Sequence, residues 1–218
     1  MFERFEGATG FIFDCDGTLL DSMRAWDEVE ARQFRSTGHD FTEAELEEIR
    51  SAPMSESSRI LHERYGLGTS AQDVMDTFDS FLLDFYESKV EPLPGAREFV
   101  ESVRRRGVAC SVVSSSPDRY IFAGLRRCGM FDDFAAVIST DSVGISKSDP
   151  GIYRVAIERM GSDLATTWGA DDAIYAVRVM KGMGMRAIGV YDGDGTGTFG
   201  QLEQTADIAI RSFFELLD

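Results

Sequence analysis

A chain of 218 residues, 43% hydrophobic and 28% charged, has a globular composition with room for one sizeable core, or one core and a small insert. Its 38 Asp and Glu against 22 Lys and Arg leave a formal net charge of −16. That balance excludes nucleic acid as an expected partner, since phosphate backbones are met by clustered Lys and Arg. An anionic substrate would need a bound cation or a local basic pocket to overcome the field. No apolar run approaches the roughly 20 residues of a membrane helix, so no membrane partner is expected. The opening MFERFEGATG lacks the basic and apolar regions of a leader, and Cys15, Cys110 and Cys128 have no metal-type spacing. A cytoplasmic protein in a reducing compartment is the expectation.

The first predicted strand, GFIFD (10–14), runs straight into Asp14 and Asp16, with Cys15 between them. Alternation puts the two acids on one side and Cys15 on the other, so like charges crowd the end of a buried strand. Gly17 and Thr18 then turn the chain, and Asp21 follows. From about Met23 to Val90 no strand pattern appears, only helical periodicity with turn signals at Thr37-Gly38, Ala52-Pro53 and Gly66-Leu67-Gly68. About seventy residues is too long for an ordinary connection. We read residues 21–90 as an inserted α-helical cap domain, and 1–20 with 91–218 as the core domain.

After 91-EPLPG-95 the rhythm is regular. Strands are predicted at 108–114, 134–139, 164–170, 186–191 and 207–211, with helices at 95–106, 117–128, 149–161 and 172–183. Most of the strands are continuous apolar runs, as in a parallel sheet buried on both faces. Gly107, Gly129, Gly161 and Gly184 sit just past the helices, where C-terminal caps belong. The fold class is therefore α/β, a doubly wound, Rossmann-like parallel sheet.

In such sheets ligands bind outside the carboxyl ends of the strands. Asp14 and Asp16 stand there after the first strand, and Ser114, Ser115 and Ser116 after the second. Lys147 follows the third, and Asp171 and Asp172 the fourth. Any one of these is ordinary strand-end polarity, and Ser116-Pro117 reads equally well as a helix cap. Four sets on one edge favour a site. Crowded carboxylates ionise together only around a cation, and hard oxygen ligands suit Mg²⁺ bridging to a phosphate. Ser114 and Lys147 offer a hydroxyl and a fixed positive charge for phosphoryl oxygens. One carboxylate can then attack phosphorus while the second carries the proton.

These residues carry a resemblance. FDCDGTLLDS, VVSSS, SKSDPGIY and WGADDAIYA resemble, in order, the four motifs of the haloacid dehalogenase superfamily of phosphatases and phosphomutases. Within it the chain is similar to the β-phosphoglucomutase and phosphoglycolate phosphatase group, whose helical cap follows the first strand. The resemblance implies Asp14 as nucleophile and metal ligand, and Asp16 as general acid/base with its backbone carbonyl on Mg²⁺. It implies Ser114 and Lys147 at the phosphoryl group, with Asp171 and Asp172 completing the metal site. Gly17, Ser115 and Arg24 are the further residues placed toward the substrate. The second acid, Asp16, is absent from family dehalogenases, so phosphate transfer from a small phosphorylated metabolite is implied, not halide displacement.

Two departures matter. In the third motif Gly151 stands in place of the usual Asp, with Ser148 and Asp149 before it. At the position twelve residues after the nucleophile, where a β-phosphoglucomutase has His, this chain has Trp26. Hydrolysis is favoured over a mutase reaction; a non-catalytic phosphoryl-ligand sensor would be expected to have lost one of the acids or Lys147. In the loop 192–203, Asp192, Asp194, Thr196, Gly197 and Glu203 fit EF-hand positions, but a strand precedes the loop, so it reads as a connection. The stripe 78-FDSFLLDFY-86 reads as the core of the cap.

Overall fold

The computed structural model describes residues 3–51, 54–193 and 198–217. Strands β1 (Gly10–Phe13), β2 (Ala109–Ser114), β3 (Ala136–Ser139), β4 (Thr167–Asp171), β5 (Arg186–Val190) and β6 (Ile208–Ile210) form one sheet in the order β3-β2-β1-β4-β5-β6. All neighbouring pairs are parallel. The helices are α1 (Met23–Thr37), α2 (Glu43–Ser51), α3 (Met54–Tyr65), α4 (Ala71–Ser88), α5 (Ala96–Arg104), α6 (Asp118–Arg127), α7 (Thr140–Val143), α8 (Gly151–Met160), α9 (Ile174–Gly182) and α10 (Phe199–Thr205). No helix of the described residues is long and apolar enough to cross a membrane.

The chain divides into two compact units, Met1–Met23 with Tyr86–Asp218, and Arg24–Phe85. In the first, every residue of β1 and β4 is buried; β1 is an unbroken apolar run, and β4 carries polar side chains only at its ends, Thr167 and Asp171. Ile12 faces a core built with Ile152 and Tyr153 of α8 and Val177 and Met180 of α9. On the opposite face, Phe11 and Phe13 pack edge-on against Phe99 of α5, with Phe5, Trp168 and Phe213 around them. The sheet order turns at β1, which lies between β2 and β4; Phe13 pairs with Val112 on one side and Ala170 on the other. That is the switch point at which a crevice opens in doubly wound sheets.

Gly107, Gly129, Gly161 and Gly184 all have positive φ, as their positions past the helices require. The unusual third motif still starts its helix well: Asp149 Oδ1 accepts from Gly151 N–H at 2.7 Å, so Asp149 nucleates the turn that opens α8.

The helical unit has its own small core, Ile49, Ile60, Leu61 and Val74, flanked by Phe34, Phe41, Tyr65 and Leu67. Two of its arginines are paired within the unit. Arg59 bonds Glu56 and Glu63, and Arg64 meets Glu48 at 2.7 Å. The stripe 78–86 divides between the two units. Leu82 is buried in the helical unit, while Tyr86 belongs to the α/β unit. Helical spacing identifies an apolar face but not which core receives it.

Candidate active site

Parallel strands bring their carboxyl ends to one edge, and β1 and β4 are neighbours there. Asp14 is the first residue beyond β1, its N–H bonded to the Ala170 carbonyl at 2.9 Å. Asp171 ends β4, and Asp172 follows. Lys147, in the turn before α8, reaches the same place. Its Nζ lies 2.8 Å from Asp14 Oδ1 and 2.6 Å from Asp171 Oδ2, with all three side chains buried. One carboxylate oxygen from each of Asp14, Asp171 and Asp172 lies within 4.8 Å of the others. Asp171 also accepts from Ala173 N–H at 2.9 Å, and Asp172 from Thr18 Oγ1 at 3.3 Å.

The electrostatics follow from burial. Loss of water pushes the Asp14 carboxyl up from 3.8 to about 6; Lys147 opposes the rise and Asp171 adds to it. Burial likewise raises Asp171, and raises Asp172 well above the carboxylate range, with Asp14 and Asp171 adding repulsion at Asp172. Burial works against the charge on Lys147, but the carboxylates of Asp14 and Asp171 outweigh it and keep the ammonium charged well above its usual range. One ammonium among three buried carboxyls leaves negative charge uncompensated. Hard oxygen donors, close together and short of positive charge, fit a metal ion.

Asp16 is placed differently. Its carboxyl does not join the other three acids but is held by hydroxyls. Ser22 Oγ donates to Oδ1 at 2.6 Å, Ser116 Oγ to Oδ2 at 2.5 Å, and the Tyr86 hydroxyl also bonds Oδ1. Burial is the first cause of its raised pKa and Asp14 the second, against these three bonds. Ser114 is buried and accepts from Ser116 N–H at 3.0 Å, which braces the turn after β2. Ser115 is exposed and lies beside the Tyr175 hydroxyl. Arg24 is exposed in the first turn of α1, in the helical unit. Gly17 has φ +72°, and a Cβ there would come within 2.8 Å of Asp192 Oδ2 and 3.0 Å of the Asp172 carboxyl. Only glycine fits this turn without strain.

Two residues near the acids have roles other than those their sequence context suggests. Ser116 is no helix cap; Pro117 occupies the N-cap position and the Ser116 hydroxyl goes to Asp16 instead. Asp192, just after β5, lies against the Gly17 turn and raises Asp172 further. The strand-end rule applied to β5 would have found it, had the EF-hand-like pattern not drawn the reading elsewhere. Asp194, Gly195, Thr196 and Gly197 of that pattern lie outside the described residues. The sequel is α10, seven residues long and opened by a Thr198–Gln201 capping box.

Comparison with known proteins gives the same picture. A family model for haloacid dehalogenase-like hydrolases matches residues 8–184. The chain is 28% identical over 184 residues to the phosphorylated carbohydrates phosphatase of Thermotoga maritima, covering 81% of this chain and 82% of that one. It is 28% identical over 179 residues to hexitol phosphatase B of Escherichia coli, covering 81% of each. A crystal structure from Thermotoga maritima described as a β-phosphoglucomutase superposes with a TM-score of 0.76 at 25% identity, over 95% of this chain and 96% of that one. The chain belongs to the haloacid dehalogenase-like hydrolase family, and within it is a phosphoric monoester hydrolase.

Proposed function

We propose that this protein is a Mg²⁺-dependent phosphatase that hydrolyses a small phosphorylated metabolite, of the sugar or polyol phosphate class, through a phosphoryl group carried on Asp14. The observation that carries the reading is Lys147 between Asp14 and Asp171, with Asp172 beside them, at the switch point of the sheet. The activities for which the Thermotoga and Escherichia relatives are named supply the substrate class.

Mg²⁺, held by Asp14, Asp171, Asp172 and the Asp16 backbone carbonyl, would supply positive charge against the phosphoryl oxygens. Lys147 adds a second, fixed positive charge and keeps Asp14 oriented. An ionised Asp14 oxygen forms a bond to phosphorus as the ester P–O bond breaks, and Asp16 gives its proton to the departing oxygen. The ionised Asp16 then takes a proton from water as that water attacks phosphorus. Phosphate leaves, and both carboxyls return to their starting states. Ser114, Ser115 and Gly17 line the turns around the phosphoryl group, and Arg24 is the cation of the helical unit assigned to the substrate.

Hydrolysis is preferred to phosphoryl return onto a second sugar position. Trp26 stands where a mutase uses His, and its ring packs on Phe78 at 5.8 Å within the helical unit. Three free, buried cysteines fit a reducing cytoplasm. The test is turnover of a generic aryl phosphate and of a panel of sugar and polyol phosphates, with Mg²⁺ or with chelator. Release of phosphate only with Mg²⁺, strongest on one sugar or polyol phosphate, is the expected result. Full turnover in chelator would overturn the metal-dependent mechanism.

A further inference from the structure

We infer that Tyr86 is a positioning residue for Asp16, acting with Ser22 and Ser116 to hold the proton-carrying carboxyl in place. The inference rests on the phosphatase reading above, which assigns Asp16 that task, and goes beyond it in saying what holds the acid and why the holders are hydroxyls.

The three hydroxyls come from distant parts of the chain. Ser22 follows β1, Ser116 follows β2, and Tyr86 stands in the last turn of α4. Each is itself fixed. The Ser22 N–H donates to the Leu20 carbonyl at 3.0 Å. Ser116 donates its N–H to Ser114 Oγ at 3.0 Å, and its carbonyl accepts from Ser139 Oγ at 2.7 Å. The Tyr86 ring is wholly buried and stacked on Tyr120 of α6, with centroids 5.3 Å apart and planes 4° from parallel. Gly124, one turn further along α6, leaves the slot open: a Cβ there would come within 2.9 Å of the Tyr86 ring and 2.6 Å of Leu20.

Packing alone does not call for the phenol. A phenylalanine would fill the same slot, and a buried hydroxyl is costly unless it is bonded. Tyr86 meets that cost by bonding Asp16. The choice of hydroxyls has a chemical reason. A hydroxyl both donates and accepts, so it bonds a carboxylate or, turned about, a carboxylic acid. A carboxyl that must lose and regain a proton in each cycle needs partners of this reversible kind.

The experiment compares two substrates in Tyr86→Phe, which keeps the ring. An alkyl phosphate needs its leaving oxygen protonated; a nitrophenyl phosphate does not. Single-turnover cleavage of the alkyl phosphate should slow about 10- to 100-fold with KM little changed, while the nitrophenol burst keeps its rate. Ser116→Ala should give the same selective loss, which covers the case of a poorly folded Tyr86→Phe. Equal loss on both substrates, or none on either, would overturn the role of Tyr86. Asp16→Asn in the same assay separates the two readings. If Asp16→Asn discriminates between the substrates and the hydroxyl variants do not, only the positioning role falls. If Asp16→Asn itself shows no discrimination, the acid assigned to Asp16 is wrong.

Discussion

Asp14 and Asp16 stand two residues apart at the end of the same strand, yet they are held by opposite kinds of partner. Asp14 faces an ammonium 2.8 Å away and shares its space with two more acids. Asp16 is bonded by three hydroxyls and, among the described residues, by no cation. A fixed positive charge holds a carboxylate ionised and aimed, which suits a nucleophile. Neutral groups that can donate or accept leave a carboxyl free to change protonation state, which suits a proton carrier. The difference lies in the partners: both are carboxyls drawn from one tripeptide, Asp14 buried and Asp16 half-buried.

The harshest way to break this contrast is to remove the cation. Lys147→Met leaves Asp14 and Asp171 buried without their counter-charge, and should cost about 3–5 kcal/mol of stability in chelator. Phosphatase activity should fall by roughly 10³-fold or more. Denaturant melts with and without Mg²⁺ check the first effect, and steady-state rates the second. A variant that melts like the parent in chelator would show that Lys147 is not the partner that makes this carboxyl cluster tolerable.

Gly17 separates the two environments, and Gly17→Ala sharpens them. A Cβ at φ +72° costs about 1–2 kcal/mol from the backbone alone and presses on the Asp172 and Asp192 carboxyls. Weaker Mg²⁺ binding in titration calorimetry, with an unchanged Tyr86–Asp16 arrangement by crystallography, is the expected pair of results.

The smallest effect is a pH dependence. Asp14 titrates at about 6 in the folded protein against an ordinary 3.8, so on acidification the folded state takes up this proton before the unfolded chain does. Stability from this group is present at low pH and lost as pH rises through about 6. Metal-free protein should therefore be more stable at pH 5 than at pH 7, by on the order of 1 kcal/mol. Surface acids such as Glu45, held down to about 2 by bonds from Thr42, act with the opposite sign but only below that window. With saturating Mg²⁺ the trend should reverse, since binding requires ionised carboxylates. Chemical melts at the two pH values, with and without metal, measure both slopes.

Much of this was legible in the sequence because strand ends are simple to locate. Continuous apolar runs placed β1, β2 and β4, and the next few residues were Asp14, the serines and Asp171-Asp172. Lys147 was found the same way, although nothing in the sequence measures its 2.8 and 2.6 Å contacts. The hydroxyl cage was not legible. Tyr86 and Ser116 lie 70 and 100 residues from Asp16, and each had a sufficient local explanation, one as a helix stripe and the other as a cap. Periodicity reports that a side chain is buried, not against what. Asp192 is within reach of the strand-end rule, but the EF-hand spacing of its loop offers a competing explanation.

The central claim, that Asp14 carries the phosphoryl group and Asp16 the proton, is tested most directly by trapping the intermediate. Asp16→Asn should still accept phosphate from nitrophenyl phosphate but release it slowly, so acyl phosphate accumulates. Acid quenching, borohydride reduction and peptide mass mapping then locate it. The account predicts modification at Asp14 and none in an Asp14→Asn, Asp16→Asn double variant. An unmodified Asp14 with continuing phosphate release, or a modified residue elsewhere, would contradict it.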